Sequence, residues 1–371
     1  MKWNASGMLS KNTKDAPVTT LPLIINIGIS ILVTSFFSLL RCTEKTTPYA
    51  DAIMTINGPI DADSLGRALI HEHVFLDWRP ADSTHAEDWD QENAFTAILP
   101  HLRKLKEYNV QSIFECTPNY LGRNVELLQK LAEATGIQFI TNTGYYGARN
   151  NIYVPAKAYE WTAEQMAKVW IDEFKDGINE SGVRPGLIKI SVDPDSTLSD
   201  LQERIVRAAA LTHKATGLTI VSHTGIDTTA FNQIAVLGQE NVSPSAFVWT
   251  HAQNGSRDGH VRMARLGGWI SLDGLGWVQP QGQDSSALYQ YLQMVRNLKE
   301  NGFLHRLLLS MDAGWYSYAE ANTYVEHTAL FTLFIPMLLE YGFTEKDIQQ
   351  VLVINPKEAY TIRPRLSGIG H

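Results

Sequence analysis

The chain has 371 residues, 44% of them hydrophobic, 19% charged and 10% aromatic, a mixture that excludes the disordered, collagenous and disulfide-dense classes. Lys and Arg number 31 against 39 Asp and Glu, a formal net charge of −8, so no basic field exists to neutralise nucleic-acid phosphates. Two cysteines, Cys42 and Cys116, are too few for a disulfide framework or a cysteine-rich zinc site, which leaves any metal to His and carboxylates.

Residues 16–40 carry no charge, and 21–40 read LPLIINIGISILVTSFFSLL behind Lys2, Lys11 and Lys14. A basic flank, an apolar run and a terminal position fit an export signal or a membrane anchor better than a buried core helix. Cys42 stands directly after the run, where a lipid-modified cysteine would sit, although Arg41 occupies a place that normally needs a small residue. Residues 1–50 are therefore expected to be a targeting segment plus linker, and 51–371 a single catalytic domain. The protein is expected to be exported (periplasmic, extracellular or membrane-anchored), with membrane contact only through its N-terminal segment.

Beyond residue 54 short β-rich runs alternate with longer amphipathic ones. The strands are predicted at 68–74, 111–117, 138–144, 186–192, 218–223, 247–251, 268–273 and 306–311, with helices between them, among them 124–135, 162–176, 198–216 and 285–300. Gly136, Gly177, Gly217 and Gly302 stand where helices should stop. Eight such units predict an α/β fold, a closed parallel (β/α)8 TIM barrel. An open doubly wound sheet is the alternative, but the first strand leads into LIHEHVF rather than a glycine-rich dinucleotide loop.

A barrel builds its site at the C-terminal ends of its strands, so the residues that end each run carry the argument. His71 and His73 end the first as H-x-H, where alternation turns i and i+2 to one side and lets them grip one ion. Lys189 lies in GLIKIS, His223 in VSHTG, His251 in WTHAQ and Asp312 in LSMDAGW. Each has a plainer reading alone: a snorkelling lysine, core histidines, a turn-initiating aspartate. Their shared position at one end of five strands is what points to a site.

These segments, in order from NGPID and LGRALIHEHV through ECTPNYLGRNVELLQKLAEATG, TGYY, GLIKISVD, VSHTG, HAQ and SMDAGW to INPKEAY, resemble the phosphotriesterase-like group of the amidohydrolase superfamily, lactonases included, over residues 55–364. The resemblance implies two divalent ions, zinc first, with manganese, cobalt or iron as alternatives. His71, His73 and Asp312 would hold the more buried ion and His223 and His251 the more exposed one. Lys189 would bridge them as N6-carboxylysine, since an ammonium cannot ligate a cation. A metal-bridging hydroxide would then attack a carbonyl or phosphoryl centre, with Asp312 as ligand and general base.

The loops offer six aromatics as pocket walls: Trp78, Tyr145, Tyr146, Trp277, Trp315 and Tyr316. Trp89, Trp161 and Trp170 are assigned to packing or surface. Few basic residues flank the predicted mouth, which favours a neutral substrate. The expected function is hydrolysis of a lactone or related small ester, with promiscuous organophosphate triesterase activity. Alternatives are a phosphodiester or phosphotriester hydrolase proper, and a non-catalytic, membrane-tethered metal-binding protein. Family resemblance also suggests a homodimer. Divergence in THAQNGSRDGH, SLDGLGWVQPQGQD and the AGW after Asp312 leaves the substrate open.

Overall fold

The computed structural model describes residues 48–278, 286–318 and 324–368. Every described residue belongs to one compact unit, Lys45–His371. The expected leader and Cys42 lie outside the described residues. Among the described residues no helix is long and apolar enough to cross a membrane.

The domain opens with an antiparallel hairpin, β1 (Ala52–Thr55) and β2 (Gly58–Asp61). The barrel strands follow as β3 (Arg67–Leu76), β4 (Val110–Glu115), β5 (Gln138–Ile140), β6 (Asn142–Thr143), β7 (Leu187–Ser191), β8 (Thr219–His223), β9 (Phe247–Thr250), β10 (Trp269–Leu272), β11 (Leu307–Leu309) and β12 (Gly314–Ser317). They pair in parallel in two runs, β6-β7-β8-β9-β10-β11 and β12-β3-β4-β5. Because β5 passes into β6 across Thr141, and β11 into β12 across residues 310–313, the two runs are one closed barrel of eight strands. The closure at β12 and β3 is tight: a Cβ on Gly314, whose φ is 96°, would stand 1.9 Å from the His73 carbonyl oxygen.

Helices α1 (Gln91–Leu105), α2 (Val125–Thr135), α3 (Ala163–Asp176), α4 (Asp200–Thr216), α5 (Asp227–Gln239), α6 (Arg257–Arg265) and α7 (Ser286–Glu300) form the outer layer, with the short α8 (Ile335–Glu340), α9 (Glu345–Gln349) and α10 (Asn355–Tyr360) closing the ring. Their ends are written locally. Thr162 and Gln165 form a capping box at the start of α3, and Met166, Ala167, Trp170 and Phe174 make its buried stripe. Asn124 caps α2, and Gly136 ends it in the left-handed conformation.

Alternation along the strands separates two cores. Ile70, Phe114, Cys116, Ile140, Leu187, Val221, Val248, Trp269 and Leu308 fill the barrel, and Ile53 and Tyr360 pack with them. Residues of opposite parity, such as Ile188, Ile190, Ile220 and Ile270, pack under the helices. One layer above Leu187 and Val221 on their own strands stand Lys189 and His223, so barrel packing aims both at the interior.

In the outer layer His213 of α4 is fully buried, its Nδ1 2.7 Å from the Leu218 carbonyl and its Nε2 accepting from the Arg365 N–H at 2.8 Å. The second bond requires the neutral ring, and burial lowers its pKa from 6.5 to about 4. Its contribution is complete above pH 6.5 and is lost as pH falls towards 4, because the unfolded chain takes the proton first. That loss amounts to about 3 kcal/mol once complete below pH 4, and to about 2 kcal/mol by pH 5. Urea unfolding at pH 8 and pH 5 should show it, with a shallower pH dependence in His213→Gln; equal slopes for both proteins would refute the assignment.

Candidate metal centre and active site

His71, His73, Lys189, His223, His251 and Asp312 meet at the C-terminal mouth of the barrel. Lys189 Nζ lies 3.0 Å from His71 Nε2. The His71 ring is 5.2 Å from His73 and 5.0 Å from His251, and His251 is 4.3 Å from His223, centroid to centroid. Asp312 Oδ1 stands 3.2 Å from His73 Nε2 and 3.8 Å from His71 Nε2, yet it is buried and accepts no hydrogen bond. A buried carboxylate oxygen without a donor, facing two imidazole nitrogens, is the arrangement a cation would satisfy. Among the described residues two groups of side chains have the spacing to hold an ion, one of His71, His73 and Asp312, the other of His71, His251 and Asp273.

Three of these residues depart from simple strand geometry. Ile70 packs in the barrel interior, yet His71, its neighbour, also turns inward; the register of β3 against β4 shifts between Leu69 and Glu72, and this bulge re-aims the H-x-H pair. His251 and Asp312 both have left-handed backbone, with φ of 57° and 50°. Strain of this kind, on the order of 1 kcal/mol or more per residue, persists only where surrounding contacts impose it. Around Asp312 the contacts come from Glu72, which accepts from Ser310 Oγ (2.6 Å), the Met311 N–H (3.0 Å) and the Ala313 N–H (2.7 Å).

All four histidines share one pattern of bonding. Nδ1 of His71 and Nδ1 of His251 contact the two oxygens of Asp273 at 2.9 and 2.8 Å. Nδ1 of His73 meets Thr117 Oγ1 at 2.9 Å, and Nδ1 of His223 meets the Tyr146 hydroxyl at 3.1 Å. Every Nδ1 is thus occupied from outside, which leaves Nε2 as the inward-facing ligand atom. Burial lowers the pKa of His71 to about 3, and it also lowers those of His73 and His223, keeping their lone pairs free at neutral pH. At His251 burial pulls the same way but the Asp273 carboxylate outweighs it, and the pKa is raised. Burial opposes ionisation of Asp312, but the neighbouring His73 and His71 prevail and hold it below the usual carboxylate range.

A model of the phosphotriesterase family matches residues 51–360 of this sequence. The chain belongs to the phosphotriesterase family. It is 28% identical over 302 residues to the phosphotriesterase homology protein of Escherichia coli, spanning 80% of this chain and 99% of that one. Against the aryldialkylphosphatase of Saccharolobus solfataricus the figures are 24% over 318 residues, 81% and 97%. The organophosphorus hydrolase of Deinococcus radiodurans superposes with a TM-score of 0.73 at 25% identity, covering 85% of this chain and 98% of that chain. Membership makes the protein a metal-dependent hydrolase of a binuclear family, and candidate metal-ligating side chains stand together at the barrel mouth.

Of the six aromatics expected in the pocket, four meet the site of this phosphotriesterase-family barrel. Trp315 stands 5.9 Å from the His73 ring, 5.3 Å from Trp78 and 4.7 Å from Trp277, whose indole N–H donates to the Asp312 carbonyl at 2.8 Å. Tyr146 contacts His223, as above, while Trp277 is 46% exposed and so marks the rim. Tyr145 and Tyr316 do not reach the site. Tyr145 packs edge-on to Trp170 of α3, and Tyr316 packs on Phe75 and takes a hydrogen bond from Asn93 of α1. Each is the chain neighbour of a residue that does face the site, Tyr146 and Trp315 respectively.

Two functional residues escape the sequence argument. Asp273, fully buried, accepts from Ser271 Oγ, the His251 N–H and Gln253 Nε2 besides the two histidines, so it belongs to one ion-spaced group and bonds to His71, which belongs to both. The signal was its parity: Trp269, Ser271 and Asp273 face one way along the seventh run. Glu72 carries a weaker signal, a carboxylate inside an otherwise apolar strand.

Proposed function

We propose that this protein uses two divalent cations, zinc first, to hydrolyse a lactone or related small carboxylic ester, with a lesser activity on organophosphate triesters. The observation that carries it is the set of four histidines with Nδ1 engaged, facing a buried lysine and a carboxylate oxygen that lacks a donor. His71, His73 and Asp312 would hold one ion and His223 and His251 the other. The bound cations supply a water of lowered pKa and an electrophile for the oxygen that gains charge.

The chain's own groups do the rest. Among the described residues Lys189 has no carboxylate within ion-pairing distance, and its partner is an imidazole nitrogen. Attack of its neutral amine on carbon dioxide forms an N–C bond and releases a proton, turning a cation that repels metals into a carbamate with two oxygens. Asp312 accepts the proton of the attacking water and passes it outward. Asp273 and the Tyr146 hydroxyl hold the imidazoles in one tautomer and orientation. Trp78, Trp277 and Trp315 supply an apolar wall suited to an uncharged scissile group.

A second reading, phosphotriester hydrolysis as the principal activity, is favoured by the names of the archaeal and Deinococcus relatives. Metal analysis with a panel of γ- and δ-lactones, aryl esters and diethyl 4-nitrophenyl phosphate decides. Two equivalents of metal and a higher kcat/KM on a lactone or ester than on the phosphate support the proposal; the reverse order supports the second reading. A protein with two ions that turns over no member of the panel would be a metal-holding binder.

A further inference from the structure

We propose that Arg149 recognises an anionic group on the substrate, so that this site takes esters that are uncharged at the bond that breaks but bear one carboxylate, or a like anion, on a flat apolar body. The inference rests on the hydrolase assignment above and narrows its substrate class. Hydrolysis forms a bond from water oxygen to the acyl carbon and breaks the ester C–O bond. The leaving oxygen takes a proton, and the anionic group is untouched.

Arg149, Asn150 and Asn151 are consecutive non-glycine residues with left-handed backbone, at φ 58°, 56° and 62°. Such a run is costly and is imposed from below. Asp193 Oδ1 accepts from the Arg149 N–H at 2.6 Å and Oδ2 from the Asn150 N–H at 3.2 Å. Gln202 of α4 donates to the same carboxylate at 2.8 Å, and Ser191 Oγ at the end of β7 accepts from the Ala148 N–H at 2.7 Å. The carboxylate beneath Arg149 is therefore spent on neutral N–H groups, and the guanidinium is presented rather than neutralised.

The side chain lies over the aromatic wall. Its Cζ is 5.4 Å from the centroid of Trp78, and Nη1 donates to the Tyr153 hydroxyl at 3.2 Å. Among the described residues no carboxylate lies within ion-pairing distance of it, whereas Arg79, close by in sequence to Trp78, is committed to Asp77 and Asp88. A guanidinium has five N–H donors in a fixed fork that matches a carboxylate, and one is used here.

Two chains of contact lead from Arg149 to the two halves of the metal centre. Trp78 touches Trp315, which touches His73; Tyr153 touches Tyr146 at 5.7 Å, whose hydroxyl meets His223. An anion on Arg149 would thus lie across the aromatic wall from the reacting carbon, with the ester body laid along that wall. One guanidinium without a carboxylate partner among the described residues, in a chain of net charge −8, suits a monoanion and not a phosphate-rich compound.

The test uses the metal-loaded full-length protein with 4-acetoxybenzoate and methyl 4-acetoxybenzoate, which share a scissile bond and differ in charge. The KM for the anionic ester should be lower by roughly tenfold. In Arg149→Gln that ratio should collapse towards one, chiefly through KM rather than kcat, and Arg149→Lys should restore part of it. Calorimetry with 4-hydroxybenzoate and methyl 4-hydroxybenzoate gives a readout independent of turnover. Equal KM values in the wild type, or a ratio that survives Arg149→Gln, overturns the inference and leaves the hydrolase assignment standing. Should neither ester turn over, that assignment fails for aryl esters, and calorimetry still decides. Preference for the anion, lost in Arg149→Gln, supports the role of Arg149; no preference overturns it.

Discussion

Asp312→Asn lowers turnover on the best ester by on the order of 10³-fold, while part of the metal remains bound. Asparagine keeps the shape and one carbonyl oxygen, so the left-handed backbone at this position and the Glu72 contacts that impose it are retained. What disappears is the negative charge and the capacity to accept a proton. His71 and His73 still offer two nitrogen ligands, which is why metal content falls less than activity does. The check is metal content by mass spectrometry on the same preparation used for kcat. Turnover within about tenfold of wild type, with metal still present, would falsify the general-base role.

Lys189→Met should remove most of the second ion and nearly all turnover, without unfolding the barrel. Methionine approximates the unbranched stem of the lysine at this fully buried position, one layer above Leu187 in the barrel interior, and removes an amine that has no carboxylate partner among the described residues. Metal-free Lys189→Met should therefore melt no lower than the metal-free wild type. The wild type grown in ¹³C-bicarbonate should show a carbamate carbon resonance that the variant lacks. A wild-type protein with two ions and no such signal would exclude the bridging role and leave Lys189 as a buried amine against His71.

Much of the fold is legible because strands of a parallel barrel are buried on both sides and so read as continuous apolar runs. The run at 186–192 becomes Leu187–Ser191 and that at 218–223 becomes Thr219–His223, since Gly186 and Leu218 border the ladder without joining it. The third run is broken at Thr141, and the eighth is cut short at Leu309, the strand resuming as β12 only beyond the predicted run and past the residues that carry Asp312. Periodicity has no signal for that break. It arises because Glu72 on a different strand gathers Ser310, Met311 and Ala313.

The candidate site divides along the same line. The sequence alone determined that Lys189 and His223 reach the mouth of the barrel, because strand alternation is local: Lys189 follows Leu187, and His223 follows Val221, by two residues. Tertiary structure alone decided that Asp273 serves His71 and His251 at once, and that Tyr145 and Tyr316 turn away. It also set Arg149 over Trp78 with its nearest carboxylate engaged elsewhere. Those contacts join residues far apart in the chain, and whether a carboxylate or a cation is free depends on which distant donors reach it after the barrel closes. Local pattern places a side chain on a face; only packing determines what that side chain is left to bind.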